Sequence, residues 1–276
     1  MPDLIAIVKK LCFYILIYKK LWGSKIVITS IISFAGVFSL VVLIHEFGHF
    51  IAARRAGVKV YEFSIGFPFS PRLITLFHHK ETEFTLRLLP LGGFVSFSKD
   101  GDDEAREFMG ASFMKRIMIL SAGSLFNIFF AFIIFIPVFM AGKNLYFFDA
   151  LLLSVKTVYE IISGTILFIL NILSGNGTME GLSGPVGIAA MAGKAATKGI
   201  LSLMFFTGAL SMSLGIMNLF PFPALDGGQL FMLFVESITK RSFTPRIYQI
   251  TNLFGMAMFI ILSIFITYKD IVKLIA

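Results

Sequence analysis

The chain has 276 residues, of which 57% are hydrophobic and only 14% are charged, and its formal net charge is +8. Soluble domains carry about a quarter charged residues, so this composition excludes an ordinary soluble enzyme and a disordered chain. The single cysteine, Cys12, excludes a disulfide scaffold. The composition instead predicts a polytopic α-helical membrane protein, in which the basic excess reflects loop topology and not binding to nucleic acid.

Apolar runs predict most of the elements along the chain. Residues 1–25 come first and predict an N-terminal interfacial helix, because Lys9 and Lys10 lie near the centre of an otherwise apolar stretch. Later runs of about 20 apolar residues predict membrane spans. The predicted spans cover residues 26–51, 117–141, 200–223 and 252–268. A weaker candidate over residues 150–173 is interrupted by Lys156 and Glu160, so about four transmembrane helices are expected.

A polar segment between the first two spans is expected to contain a small sheet. Near-alternating apolar residues, separated by glycine and proline, predict a β element over residues 58–98. Within it, His78 and His79 are interpreted as a solvated turn. Residues 54–116 hold ten of the 24 Lys and Arg residues, and the positive-inside rule therefore predicts a cytoplasmic location for this loop. The N-terminal lysines favour the opposite orientation.

One motif carries chemistry that is costly inside a membrane span. His45-Glu46-Phe47-Gly48-His49 is an HExxH sequence near the end of the first predicted span. Residues four apart lie on one face of a helix, so both imidazoles can bind one zinc ion while Glu46 acts as general base on a water molecule. The cost of ionisable groups within a span favours a functional site over a chance match. A catalytic zinc has three protein ligands, so one more ligand is required.

Asp226 is the candidate for that third ligand. It follows Pro221 and Pro223, which break the fourth span and free backbone groups at membrane depth. Gly227 and Gly228 come next and permit close approach of the backbone. The alternative is that Asp226 caps the short apolar run that follows it.

Several motifs, in order along the chain, resemble the site-2 protease family of intramembrane zinc metalloproteases. The similarity is greatest to its bacterial branch, which cleaves anti-sigma factors and signal-peptide remnants. The matching stretches are 45–58, 63–67, 89–95, Ala122-Gly123 with Asn127, 182–187 and 218–228. Close relatives carry one or two PDZ domains after the second span. Residues 141–150 are only a short link, so a single protease domain over residues 26–276 without a PDZ domain is expected.

The resemblance implies a site for one zinc ion, with His45, His49 and Asp226 as ligands and Glu46 as the catalytic base. It also implies that the sheet is a membrane-associated β-hairpin element whose edge strand holds an unwound substrate. Residues 150–173 would then form an amphipathic, gate-like helix. The residues that match substrate-binding positions of the family are Gly92, Gly93, Phe94, Asn127 and Asn218.

The implied activity is regulated intramembrane proteolysis, in which single-span membrane proteins are cut within the lipid bilayer after an upstream site-1-type protease has trimmed them. The implied location is the bacterial inner membrane, with the active site towards the cytoplasmic side. Two other functions remain open: a metal-binding membrane transporter that uses the same ligands, and a catalytically inactive scaffold. Intact Glu46 speaks against the scaffold, and the sequence shows none of the inverted repeats expected of a transporter.

Overall fold

The computed structural model describes residues 24–68, 70–89, 92–97, 108–176 and 183–275. The predicted interfacial helix, with Cys12, lies outside the described residues except for its last two positions. The described residues form seven helices and one four-stranded sheet. The helices are α1 Ser24–Ala56, α2 Phe113–Lys143, α3 Phe147–Leu173, α4 Pro185–Thr197, α5 Ile200–Asn218, α6 Asp226–Thr239 and α7 Pro245–Ile275.

Five of these helices, α1, α2, α3, α5 and α7, are long and apolar enough to cross a membrane, which confirms the predicted multi-pass architecture. Four of the five coincide with the four predicted spans. The fifth, α3, covers the weaker candidate, and its role as a gate stays a prediction. Helix α5 ends at Asn218 and not at residue 223, because Pro221 cannot continue an α-helix. Only residues 144–146 join α2 to α3.

The sheet lies between α1 and α2 in the chain and has the strand order β2-β3-β1-β4. Its strands are β1 Glu62–Ile65, β2 Arg72–His79, β3 Thr82–Arg87 and β4 Gly93–Ser96. Strand β1 pairs in parallel with β3 and antiparallel with β4, while β2 and β3 form an antiparallel hairpin. The small sheet was thus predicted correctly.

The predicted turn at His78 and His79 is wrong. Both residues end β2 and pair across the hairpin with Glu83 and Thr82. Strand β2 is not predicted by alternation because large apolar side chains are exposed on both of its faces. They are Leu73, Ile74, Leu76 and Phe77.

Two apolar clusters hold the elements together, and α2 takes part in both. The first cluster joins the end of α1 and strand β1 to the start of α2, and includes Phe50, Phe63 and Ile119. The second packs the later half of α2 against α3 and α5 around Phe135 and Met212, neither of which is exposed. Helix α2 is therefore the central helix, in contact with α1, α3, α5 and α6.

Candidate metal centre

His45 and His49 lie one turn apart on α1, and both are buried, with 6% and 8% of their surface exposed. Their helix approaches α2 closely at this level. A Cβ at Gly48 would lie 2.6 Å from the carbonyl oxygen of Ala122. A Cβ at Gly123 would lie 2.8 Å from Cε1 of each imidazole. Because position 123 has no side chain, there is room beside α2 for both imidazole rings.

The bend between α5 and α6 brings Asp226 to this histidine pair. Residues 219–225 turn back on α6, so that a Cβ at Gly227 would collide with backbone carbonyl groups of the bend. A Cβ at Gly228 would lie 2.8 Å from the carbonyl carbon of Phe222. The two glycines permit the close backbone approach that the sequence predicts. Asp226 is the first residue of α6, and its side chain is 17% exposed.

Three atoms that commonly ligate metals converge here: Nε2 of His45, Nε2 of His49 and Oδ2 of Asp226. The carboxylate oxygen lies 3.0 Å from the first nitrogen and 3.2 Å from the second, and the two nitrogens are 3.1 Å apart. Ligands of a tetrahedral zinc ion, each about 2.0–2.1 Å from the metal, are separated by about 3.3–3.4 Å. The nearly equilateral triangle therefore has both the size and the donor set of a three-ligand zinc site.

The hydrogen bond of His49 determines which of its ring nitrogens is free. Nδ1 lies 2.7 Å from the carbonyl oxygen of Ile119. A carbonyl oxygen can only accept, so Nδ1 carries the proton, and in the neutral ring Nε2 has a free lone pair. Oδ2 of Asp226 is buried and touches both imidazoles, but neither contact has the geometry of a hydrogen bond. A single proton can bridge only two of the three converging atoms, whereas one metal ion can bind all three.

Glu46 connects this cluster to the sheet. The backbone N–H of Val95 in β4 faces its carboxylate, which lies within electrostatic range of both histidines and Asp226. A Cβ at Gly93 would lie 3.7 Å from Cγ of Glu46. The carboxylate is thus in contact with β4 while it borders the three converging atoms.

Strand β4 is an edge strand: one side pairs with β1, and no strand of the described residues pairs with the other, open side. The N–H of Gly66 donates to the carbonyl of Gly92 at 2.9 Å, which defines the side of β4 that faces β1. By the alternation of an antiparallel pair, Phe94 also bonds towards β1, while the backbone groups of Gly93 and Val95 point to the open side. At Val95 this side faces the Glu46 carboxylate of α1. Three of the predicted substrate residues, Gly92, Gly93 and Phe94, therefore lie at the start of this edge.

The two predicted asparagines lie on opposite sides of the His45 ring. Nδ2 of Asn127 is 3.5 Å from Nδ1 of His45, and this asparagine is fully buried on α2. Nδ2 of Asn218, the last residue of α5, is 3.5 Å from Nε2 of the same ring. Ser211 donates a hydrogen bond of 2.9 Å to the carbonyl of Asn127 and so ties α5 to α2 beside the site.

Sequence reasoning missed two arginines that organise the surroundings. Arg87 lies 4.7 Å from the ring centre of Phe94 and 3.1 Å from the Glu62 carboxylate, so it links β3 to β1 and β4. Arg116 at the start of α2 forms a buried ion pair of 3.0 Å with Glu236 near the end of α6. A charge at the start of an apolar span was a signal for Arg116, but its partner lies 120 residues away and no local pattern indicates it.

The profile of peptidase family M50 matches residues 33–262, a region that contains every residue of the candidate metal centre and the sheet beside it. The chain belongs to peptidase family M50. This finding confirms the resemblance to the site-2 proteases. The M50 chain is accordingly a zinc metalloprotease with zinc as its cofactor, and its five apolar helices make it a multi-pass membrane protein.

Curated relatives of this M50 protein carry the same assignment in their names. A Clostridium perfringens protein whose name contains the words zinc metalloprotease is 26% identical over 325 positions, which cover 85% of this chain and 96% of the relative. A similarly named Clostridium acetobutylicum protein is 28% identical, with 85% and 95% covered. The regulator of sigma E protease of Haemophilus influenzae is 37% identical over 103 positions, which cover 37% of this chain and 23% of that protein.

Proposed function

We propose that this M50 protein is an intramembrane zinc endopeptidase that carries out regulated intramembrane proteolysis of single-span membrane proteins. One arrangement carries the proposal. The converging atoms of His45, His49 and Asp226 lie beside Glu46, which borders the edge strand β4, and all of them lie among apolar helices. Together these parts provide a metal site, a base and a surface for an extended peptide.

His45, His49 and Asp226 are the proposed zinc ligands. The lone pair at Nε2 of His49, the unpartnered carboxylate oxygen and the size of the triangle all support this assignment. Three protein ligands leave a fourth position open to water, as in other catalytic zinc sites. Zinc bound at this site supplies a Lewis acid that polarises the substrate carbonyl and lowers the pKa of a water molecule.

Glu46 is the proposed general base. It takes a proton from the attacking water as the water oxygen bonds to the carbonyl carbon, and it delivers that proton to the peptide nitrogen as the C–N bond breaks. The position of the carboxylate beside Gly93 and Val95 supports this role, because the substrate would lie along the same strand. The same contact joins the base and the substrate surface in one rigid unit.

An extended substrate can add to the open side of β4 as a further strand. A helical peptide bond is shielded by its own hydrogen bonds, so the substrate helix must unwind before attack, and strand addition then replaces the lost bonds. Gly92 and Gly93 let the strand lie close to α1, because a Cβ at Gly92 would lie 3.1 Å from Val42 and one at Gly93 would lie 2.9 Å from Leu43. Phe94 packs against Arg87, which holds the strand in position. These three residues of the β4 edge are the proposed substrate contacts.

Asn127 and Asn218 are proposed to order the centre around His45. When Nε2 of His45 is a metal ligand, Nδ1 carries the ring proton. Nδ2 of Asn127 faces Nδ1 in the structure, and its buried amide oxygen has no partner, so a 180° turn of the amide would present this oxygen as the acceptor for that proton. Asn218 lies on the Nε2 side, where its amide can donate to the carbonyl of a bound substrate.

The proposed substrates are anti-sigma factors and signal-peptide remnants, trimmed beforehand by an upstream site-1-type protease. The relative named as a regulator of sigma E protease supports this choice. The proposed location is the bacterial inner membrane with the active site towards the cytoplasm, which the basic pair Arg54 and Arg55 at the end of α1 supports. Helix α3, with its exposed ion pair Lys156–Glu160, is the proposed gate-like helix.

The decisive experiment compares Glu46→Gln with the parent in cleavage of a labelled single-span substrate in a reconstituted bilayer. Loss of a general base typically lowers the rate by about 10²–10⁴-fold, and zinc content should be retained. Glu81→Gln, which neutralises an exposed carboxylate of the hairpin, is the matched control and should cleave at the parent rate. Undiminished cleavage by Glu46→Gln would contradict the protease proposal. Zinc uptake into vesicles that survives this substitution would favour the transporter.

A further inference from the structure

A cavity outside the metal centre has no part in the proposed function. Its volume is about 490 Å³, and it lies where the start of α2 meets the end of α6 and the turn that follows. The polar residues of its wall are Arg116, Glu236, Ser237, Lys240, Arg241 and Ser242. Three of these six residues are cationic and one is anionic, so the cavity has an excess of positive charge.

Arg116 contributes a buried donor without an acceptor. The residue is 6% exposed, and its guanidinium donates to Glu236 at 3.0 Å and to the Tyr248 hydroxyl at 2.8 Å. The buried Nε–H makes no hydrogen bond. The residue also belongs to the cavity wall, so a ligand oxygen there can form a charge-assisted contact with its guanidinium.

The remaining charges of the cavity are not balanced within the described part of the chain. Glu236 neutralises Arg116, and its second oxygen accepts the backbone N–H of Phe243 at 2.6 Å. Lys240 and Arg241 have no ion-pair partner among the described residues, and both are exposed at the rim. Two positive charges are thus available to a ligand.

The start of α2 adds further donors to the same place. This helix has 31 residues, no acid in its first turn, and an N-cap, Ser112, that makes no side-chain cap bond. The first N–H groups of a helix lack partners within it and form a site for anions. Phe113, the first residue of α2, belongs to the cavity wall, so these donors and the unpaired donor of Arg116 lie in one region.

We infer that this cavity binds a phosphate group. Guanidinium and ammonium groups, hydroxyls and helix N–H groups are the donors that phosphate oxygens prefer. Lys115 lies at the start of α2, Lys240 directly follows α6, and Arg246 lies at the start of α7, as expected of helix ends at a membrane surface. Apolar wall residues such as Leu233 suit the glycerol and acyl part of a lipid. The phosphate can come from an anionic phospholipid headgroup or from free inorganic phosphate.

Native mass spectrometry of the full chain, released from detergent, tests this inference with phosphatidylglycerol and with phosphatidylcholine of the same acyl chains. The double variant Lys240→Gln/Arg241→Gln should bind phosphatidylglycerol about tenfold or more weakly than the parent, because each basic residue near a lipid surface contributes substantially to anionic lipid binding. Both substitutions are at exposed positions and should leave the fold intact. Lys194→Gln/Lys198→Gln removes the same charge from exposed positions on and after α4 and should bind like the parent.

A competition experiment, in which inorganic phosphate is added to the lipid-bound protein, identifies the source of the phosphate. Displacement of phosphatidylglycerol by millimolar phosphate from the parent assigns the cavity to free phosphate, and retention of the lipid assigns it to the headgroup. The inference is overturned if the Lys240→Gln/Arg241→Gln variant binds phosphatidylglycerol as the parent does. It is equally overturned if the control double variant loses as much binding, since the effect would then be one of net charge.

Discussion

The two polar clusters at the ends of α6 are built in opposite ways. At the end of the helix, Glu236 meets a cation, Arg116, and the pair is completed by the Tyr248 hydroxyl. At the first residue, Asp226 lies against the Nε2 atoms of two imidazoles, and no cation of the described chain lies between them. The comparison shows that burial of charge alone does not distinguish an ion pair that stabilises the fold from a metal centre. What distinguishes them is whether each buried acceptor is matched by a donor.

The metal centre should therefore fail most severely when one of its acceptors is removed. Asp226→Ala leaves only two imidazole ligands, and zinc binding should weaken by more than about 100-fold, since loss of even a partner that orients a ligand costs about 10–100-fold. Zinc per purified chain, measured by inductively coupled plasma mass spectrometry, checks this expectation. Asp149→Ala is a matched control, because Asp149 is also an acid in the first turn of a helix but is exposed. Equal zinc in both variants would disprove the third-ligand assignment.

Substitutions in the Arg116–Glu236 ion pair, at the other end of α6, should change the stability of the protein and not its zinc content. Arg116→Met leaves the Glu236 carboxylate buried without its cation, which should lower the free energy of unfolding by about 3–5 kcal/mol. Replacing both partners, as Arg116→Met with Glu236→Leu, should recover most of the loss, because an apolar pair needs no desolvation of charge. Detergent-induced unfolding followed by circular dichroism measures both variants. A single variant as stable as the parent would show that the pair does not stabilise the fold.

A smaller and more local effect is expected from added volume beside the histidines. Gly123→Ala places a methyl group 2.8 Å from Cε1 of both rings, so the rings must shift and zinc affinity should fall by about 10–100-fold. Gly36→Ala on α1 is the control, because a Cβ there meets nothing within 4 Å. Competition with a zinc chelator compares the two variants. Identical affinities would mean that the rings are not fixed by their contact with α2.

The sequence predicts the metal centre better than its surroundings, for physical reasons. His45 and His49 share a helix face by local spacing, and Asp226 is recognisable because acids are rare near spans and two prolines precede it. The Arg116–Glu236 pair joins residues that only the tertiary fold brings together. Strand β2 escapes prediction because a strand that is apolar on both faces has no alternation to detect.

Positions along helix α2 also give a measure of depth within the membrane. Gly123, against the imidazoles, follows Arg116 by seven residues, and a helix rises about 1.5 Å per residue, so the two residues lie about 10 Å apart along the helix axis. With α2 along the membrane normal and Arg116 at the edge of the hydrocarbon layer, which is about 30 Å thick, the proposed cut would lie about a third of the way across that layer. For the proposed protease, the scissile bond of a substrate span is thus set by distance from one membrane face. Side chains near that bond need not define it, and spans of unrelated sequence can be cut at the same depth.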